Sequence, residues 1–322
     1  MADATKVTHL RELLDDAPSN WGRWGPDDEI GCLNYQTQEE VLRGVREVKS
    51  GKVFTLAVPV GNPGGDPVWP GRSGAVKLMT QDKSHYVSRK LDPLPGGLEY
   101  ADDYINAFLQ GSTQFDALGH TWYGDEIYNG HTALSTTGGM AKCGVDKLAE
   151  RGIVGRGVLI DMARHRGKQW LESGETFGAE DLEAAASNQG VTIEPHDNLL
   201  IRTGWLTLFY EQGAAAFYGE QFVEPGLQYS AELARWFHER EIVSLSTDTI
   251  ANEVTIDPNT GFALTLHAAL MCRLGLLFSE ICSFDRLADD CEADGRWTFL
   301  YVGAPLKIVG GTGAPVNPVA IK

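Results

Sequence analysis

The chain has 322 residues, of which 43% are hydrophobic and 22% charged, and its formal net charge is -17. This length and composition are typical of a globular protein that buries a full hydrophobic core. An acidic surface does not attract nucleic acid or anionic membranes, so neither is expected as a partner, although the same charge is ordinary for a soluble protein. Five cysteines without a C-x-x-C pair predict neither a disulfide framework nor a structural zinc site. Because the sequence shows no signal-peptide pattern and no apolar run of roughly 18 residues, we expect a cytoplasmic protein.

Hydrophobic periodicity and Gly/Pro punctuation predict the secondary structure. In chain order, they predict an N-terminal extension at 1–20 with a short helix at 10–14, a Gly- and Trp-rich loop at 20–31, a helix at 37–50, a strand at 52–60, a long loop at 61–100 and a helix at 102–109. Strands are then predicted at 155–162, 198–203, 242–247, 276–281, 298–302 and 306–309. Helices are predicted between them at 179–188, 230–239 and 264–273. Because helix and strand alternate and no linker is visible, we expect a single α/β domain over residues 1–322.

The segment 110–120 carries polar residues at regular spacing. Gln110, Gln114 and Asp116 are four and two positions apart, and His120 follows four positions later. Residues four apart share a face of a helix, and residues two apart share a face of a strand. A helix end that runs into an extended segment would therefore aim the first three side chains at one point. The alternative is that these side chains only satisfy backbone groups of a loop.

Two further polar residues lie in apolar surroundings near the C-terminal third of the chain. Glu280 lies inside a predicted apolar strand, where an uncompensated carboxylate costs several kcal/mol. We therefore expect Glu280 to be a site residue, or else to form an ion pair with Arg273 or Arg286. His267 lies in the predicted helix that precedes this strand.

Segment 110–120 resembles the metal-site signature of the cyclase family, the group that includes bacterial kynurenine formamidase and isatin hydrolase. That signature reads His-x-Gly-x-His-x-Asp-x-Pro-x-His. Asp116 and His120 fall in register with it, whereas Gln110 and Gln114 stand in place of its first two histidines. Several other stretches resemble segments of the family, namely 155–161, 199–205, 246–248 and 304–318.

The resemblance implies a swivelling β/β/α fold with a mixed central sheet or open barrel. It implies a hydrolase that opens a cyclic or acyclic amide or a lactone of an aromatic or polyketide-like small molecule, assembled as a homodimer or homotetramer. In the family, a metal-activated water attacks the carbonyl and the histidine corresponding to His120 moves protons. The family also has a His that opens a helix and a Glu about a dozen residues later, which His267 and Glu280 match. The resemblance therefore assigns Asp116, His267 and Glu280 as metal ligands, with His120, Asp116 and Glu280 as catalytic residues.

The two glutamines change what this site is expected to bind. Zn²⁺ favours imidazole and carboxylate ligands, whereas an amide oxygen suits harder ions such as Mn²⁺ or Mg²⁺. The expected cofactor is therefore a divalent metal, Mn or Zn, or no metal at all. In the metal-free case, Gln110 and Gln114 would donate hydrogen bonds to a substrate carbonyl. Loop aromatics such as Trp122 would line an apolar substrate site, although packing onto the core explains them equally well.

Two other functional interpretations remain open. A metal-free lyase, dehydratase, isomerase or cyclase would use the same carboxylates and histidine for proton transfer. A non-catalytic binding protein would have lost catalysis together with its histidines. The Gly-rich stretch 310–315 lacks the spacing of a nucleotide-binding loop and is predicted to be a tight turn.

Overall fold

The computed structural model describes residues 7–322, and its strands build one large sheet and two small ones. The strands are β1 (Val53–Thr55), β2 (Val76–Gln81), β3 (Asp102–Asn106), β4 (Gln114–Asp116), β5 (Ile153–Asp161), β6 (Thr176–Phe177), β7 (Asn198–Arg202), β8 (Gly226–Leu227), β9 (Ser244–Thr247), β10 (Leu277–Glu280), β11 (Thr298–Gly303), β12 (Gly313–Pro315) and β13 (Val319–Ile321). Nine of them form a mixed sheet in the order β1-β13-β11-β5-β7-β9-β10-β4-β12. The predicted α/β class and mixed central sheet are confirmed.

The α-helices of the described residues lie between and around these strands. They are α1 (Leu10–Leu13), α2 (Gln38–Val45), α3 (Lys83–Val87), α4 (Val145–Arg151), α5 (Met162–His165), α6 (Ala179–Gln189), α7 (Trp205–Gln212), α8 (Ala214–Tyr218), α9 (Ala231–Glu239) and α10 (Asp285–Asp294). Shorter helical turns lie at Gly31–Tyr35, Tyr128–Gly130 and Ala133–Thr136, and a π-helix lies at His267–Cys272. None of the helices described within residues 7–322 is long and apolar enough to cross a membrane.

The centre of the sheet consists of the parallel strands β5, β7, β9 and β10. Their residues are almost all buried, which explains the apolar runs of β5 and β7, whereas β9 buries mainly Ser and Thr. Parallel neighbours need a crossover, and α6 and α9 supply it on either side of β7. The buried side chains of both helices join the main hydrophobic core. The predicted helices and strands between 150 and 280 are therefore present, with ends that differ by a few residues.

An antiparallel flank completes the sheet beside β10. Strand β4 pairs with β10 on one side and with β12 on the other. In this register Gln114 lies opposite Glu280, and Asp116 lies opposite Gly313. The flank therefore brings together two polar segments that are about 160 positions apart in sequence.

Residues 76–108 form an exposed arm that corrects two predictions. Strand β2 and helix α3 lie within 61–100, which was predicted to be a long loop, and β3 replaces the helix predicted at 102–109. The physical reason is that β2 and β3 pair with each other antiparallel, and this pairing satisfies backbone groups that a helix would otherwise satisfy internally. The side chains on both faces of these strands are exposed, and several of them are large and apolar.

The C-terminal segment and the N-terminal extension also differ from expectation. The strand predicted at 306–309 is absent from the described structure: the Leu306 N–H donates one hydrogen bond to Pro315 of β12, but no ladder follows, and Leu306 and Val309 are exposed. The segment 310–315, predicted to be a tight turn, is a turn only at its start, because β12 occupies Gly313–Pro315 and pairs with β4. The helix predicted at 264–273 forms a π-helix over part of its length. Of the predicted extension 1–20, residues 1–6 lie outside the described residues, and the rest contains α1.

Candidate active site and metal centre

The site is built first on strand β4. Gln114 and Asp116 are two residues apart on this strand, so their side chains point to the same face of the sheet. The cross-strand pairing places Glu280 directly opposite Gln114, and the Gln114 Nε2 donates a hydrogen bond to Glu280 Oε2 at 2.7 Å. The predicted convergence of Gln114 and Asp116 thus comes from a strand, without the preceding helix that was expected.

His267 reaches the same place from the first residue of the π-helix. The carboxylate of Glu253 accepts three hydrogen bonds there, from the backbone N–H groups of Leu266 (2.6 Å) and His267 (2.8 Å) and from the His267 ring at Nδ1 (2.7 Å). A carboxylate at a helix N-terminus satisfies N–H groups that have no partner within the helix. The same contact leaves Nε2 facing Glu280 Oε1 at 3.4 Å.

Asp116, His267 and Glu280 form a compact, buried cluster. One potential ligand atom from each residue lies within 4.8 Å of the others. The three residues are 1%, 4% and 3% exposed, respectively. The structure therefore brings together the three residues that the resemblance assigned as metal ligands.

Several oxygens around this cluster have no hydrogen-bond partner among the described residues. Both carboxylate oxygens of Asp116 are buried and unpaired, as are the amide oxygens of Gln114 and Asn252. Asn252 itself donates from Nδ2 to Glu280 Oε1 at 3.2 Å. All the unpaired atoms are acceptors, and a buried acceptor without a partner is costly. Such an arrangement fits a bound cation with oxygen ligands.

Burial and neighbouring charges set the protonation of the cluster. Burial raises the pKa of Asp116 to about 6, although the charges of His120 and His267 oppose this rise. Burial alone would lower the pKa of His267, but its hydrogen bonds to Glu253 and Glu280 outweigh burial and raise that pKa to about 10. The His267 ring therefore gains a proton more readily than a free histidine, and a cation bound at Nε2 would replace that proton.

His120 lies near the cluster but is held differently. Its ring is half-buried and receives no hydrogen bond from residues 7–322. Burial lowers its pKa below the ordinary value, against the opposing charge of Asp116. A neutral imidazole without a protein partner is able to accept a proton from a water or a substrate.

Gln110 is placed by the C-terminal Gly-rich segment. Its Nε2 donates to Thr312 Oγ1 at 3.0 Å. A Cβ atom added to Gly313 would lie 2.7 Å from Gln110 Nε2 and 3.3 Å from Asp116 Oδ1. The absence of a side chain at Gly313 therefore allows Gln110 and Asp116 to pack side by side. This segment, predicted only as a turn, forms part of the wall of the site.

Two other predictions concern the partners of Glu280 and the role of Trp122. Glu280 pairs with neither Arg273 nor Arg286 within the described structure, and its partners are the residues named above. Trp122 is 46% exposed, two positions after His120, and its role in substrate binding stays a prediction.

Asn252 and Glu253 are the functional candidates that the sequence did not reveal. They are adjacent, follow β9, and hold Glu280 and His267, respectively. Asn252 has a backbone φ of 57°, in the left-handed region that Asn tolerates better than most residues. An Asn-Glu pair in a loop is too common to be recognised without its partners.

Comparison with known proteins identifies the family of the chain. The profile of the cyclase family, described as "Putative cyclase", matches residues 54–254. A crystal structure described as that of a novel cyclase is 37% identical to the chain, with a TM-score of 0.85, and the match covers 96% of this chain and 98% of that one. A comparison with curated proteins gave no match.

Two isatin hydrolases share the fold at lower identity. Isatin hydrolase A from Labrenzia aggregata, bound to benzyl benzoate, is 20% identical with a TM-score of 0.57, over 84% of this chain and 93% of that one. An isatin hydrolase bound to the product analogue thioisatinate is 16% identical with a TM-score of 0.56, over 88% and 98%. Because the family profile spans more than half of the sequence and the 37% identical cyclase matches nearly all of it, the chain belongs to the cyclase family.

Proposed function

We propose that this protein is a hydrolase that opens an amide or a lactone, cyclic or acyclic, of an aromatic or polyketide-like small molecule. The observation that carries the proposal is the convergence of Asp116, His267 and Glu280, with both oxygens of Asp116 buried and without a partner in the described part of the chain. The names of the isatin hydrolases that share the fold support the same reaction class.

The donor set fits a divalent cation. Asp116, Glu280 and the Nε2 atom of His267 would hold it, and the unpaired amide oxygen of Gln114 is a further candidate ligand. Because oxygen ligands dominate, Mn²⁺ or Mg²⁺ suits the site better than Zn²⁺. When bound, the cation would polarise the scissile carbonyl. The hydrogen bond from His267 Nδ1 to Glu253 orients the ring for this role, as carboxylates commonly do behind metal-binding histidines.

His120 carries the proton transfers in this proposal. Its neutral ring takes a proton from the attacking water as the water oxygen bonds to the carbonyl carbon. It returns that proton to the leaving nitrogen or oxygen as the C–N or C–O bond breaks. Gln110 and Trp122 are proposed to contact the substrate at the edge of the cluster.

Metal analysis combined with a substrate panel tests the proposal. The protein is purified without chelator, its metal content is measured, and lactones, amides and formamides are assayed with EDTA and after Mn²⁺ is restored. We expect EDTA to remove turnover and added Mn²⁺ to restore it. The variant His120→Gln should lose turnover, whereas the control variant His165→Gln should retain it. Full turnover in metal-free protein, or none on any panel member, contradicts the proposal.

The hydrogen bonds of Glu280 favour a second candidate, a metal-free lyase, dehydratase, isomerase or cyclase. Gln114 and Asn252 already donate to Glu280, and His267 lies 3.4 Å away, so this carboxylate is compensated without a metal. This candidate predicts turnover that is insensitive to EDTA and still depends on His120. Binding of a ligand without turnover, unchanged by His120→Ala, would instead indicate a non-catalytic protein.

A further inference from the structure

A cleft with aromatic walls is lined in part by Arg72, which contacts Gln110. Its volume is about 560 Å³, within the range of small-molecule sites. Trp69, Tyr218 and Phe222 line it, and the Phe222 ring centroid lies 5.5 Å from each of the other two. The Tyr218 hydroxyl donates to the carbonyl oxygen of Val68 at 2.7 Å, which ties one wall of the cleft to the other. The cleft therefore offers a preformed apolar surface for a ring.

Arg72 lies in the cleft wall on the side of the catalytic cluster. Its guanidinium donates to the carbonyl oxygen of Gln110 at 3.2 Å, and its backbone N–H donates to Trp69 at 2.9 Å. The side chain of Gln110 packs beside Asp116 over Gly313, as described above. Arg72 is therefore separated from the cluster by a single residue.

The guanidinium of Arg72 forms no ion pair with any carboxylate of the described residues, although the chain carries a net charge of -17. In contrast, the comparably half-buried Arg43 pairs with three carboxylates. Two acidic residues share the cleft with Arg72. The carboxylate of Asp66 already accepts three backbone N–H bonds, and Glu220 is exposed. The cleft thus contains a cation whose other hydrogen-bonding groups remain available.

We propose that the substrate is an aromatic acid, whose ring occupies the cleft and whose carboxylate, or a similar anionic group, binds Arg72. A planar guanidinium with several N–H donors matches the two oxygens of a carboxylate. This inference deepens the proposed function, because it assigns the cleft to the substrate of the same site, but it concerns binding and not turnover.

Phenylacetate and phenylacetamide test the inference, because they share a ring and a similar size and differ in charge. Their binding to the full-length protein is followed by ligand-observed NMR, in which hydrolysis of the amide would also be visible. We expect phenylacetate to bind about tenfold more tightly than phenylacetamide, a difference of about 1.4 kcal/mol. Arg72→Met should remove this preference and Arg72→Lys should keep part of it, whereas the control Arg46→Met, at an exposed position, should change nothing.

A second variant examines the aromatic wall. Trp69→Leu should weaken both probes alike, because it removes ring contacts and no charge. Equal binding of the two probes by the unaltered protein, or a preference that survives Arg72→Met, overturns the inference, since an anion held by a cation in the cluster would not depend on Arg72. The proposed hydrolysis is tested by a different result. If no amide or lactone is turned over but the Arg72-dependent preference is present, the proposed reaction is wrong and the proposed binding site is not.

Discussion

Replacing Glu253 by glutamine removes a charge and one acceptor oxygen from the group that orients His267. The carboxylate accepts three N–H bonds at 2.6 to 2.8 Å, two of them from the start of the π-helix. Glutamine keeps one oxygen, so at least one buried donor loses its partner, at about 1–3 kcal/mol. Loss of negative charge at the helix N-terminus adds about 0.3–1 kcal/mol. We therefore expect the free energy of unfolding to fall by about 1.3–4 kcal/mol.

The same substitution should weaken the binding of Mn²⁺ by about 10–100-fold, because His267 loses the contact that fixes its ring. Urea denaturation gives the stability, and calorimetric titration with Mn²⁺ gives the affinity. Asp248→Asn is a matched control, since the Asp248 carboxylate also accepts three hydrogen bonds, each at 2.7 Å, from Thr203 and Gly204. We expect this control to lose comparable stability and to keep its Mn²⁺ affinity. An affinity of Glu253→Gln within about threefold of the unaltered protein, or an equal loss in Asp248→Asn, would refute the reasoning.

Three further predictions follow from the structure. Glu280→Gln should abolish turnover; because Gln114 and Asn252 donate to different oxygens of Glu280 and glutamine keeps only one, it should also cost about 1–3 kcal/mol of stability while unfolding stays cooperative, and turnover by the folded variant would contradict a catalytic role. Because burial lowers the pKa of His120, the acid limb of kcat/KM of the Mn²⁺-loaded enzyme should lie below pH 6.5, and any residual activity of His120→Gln should lack this limb; a limb above pH 7 contradicts a base role for a neutral His120. We propose that the exposed arm binds a second copy of the chain, because a two-stranded sheet without a core is marginally stable alone. Light scattering should then give a molecular mass in solution above the 35.1 kDa of one chain. The double variant Leu78→Glu/Tyr104→Glu should lower this mass, whereas the control variant Leu134→Glu should not.

The interior of the fold was predictable from local patterns. The strands β5 and β7 contain continuous apolar runs, and α6 and α9 have buried stripes at helical spacing, so each was found at nearly its observed position. The arm was not predictable in this way. Residues 102–106 have no buried face, and only their pairing with 76–81 makes them a strand.

The residues of the candidate site likewise fall into those that the sequence indicated and those that only the structure revealed. Asp116, His120, His267 and Glu280 were identified because polar residues at signature spacing or inside apolar segments are visible in one dimension. Glu253 was missed, because its importance depends on the donors that the fold supplies to it.

The sequence by itself determined the α/β class, the family resemblance and the polar residues worth examining, because periodicity and signature spacing are properties of neighbouring positions. Only the tertiary structure decided which of those residues meet. The antiparallel register of β4 against β10 places Gln114 opposite Glu280, and the turn after β9 brings Glu253 to His267. Among residues 7–322, the same folding leaves Asp116 without a hydrogen-bond donor and Arg72 without a carboxylate partner, and these two unpaired groups, which depend on long-range packing, support the proposed chemistry.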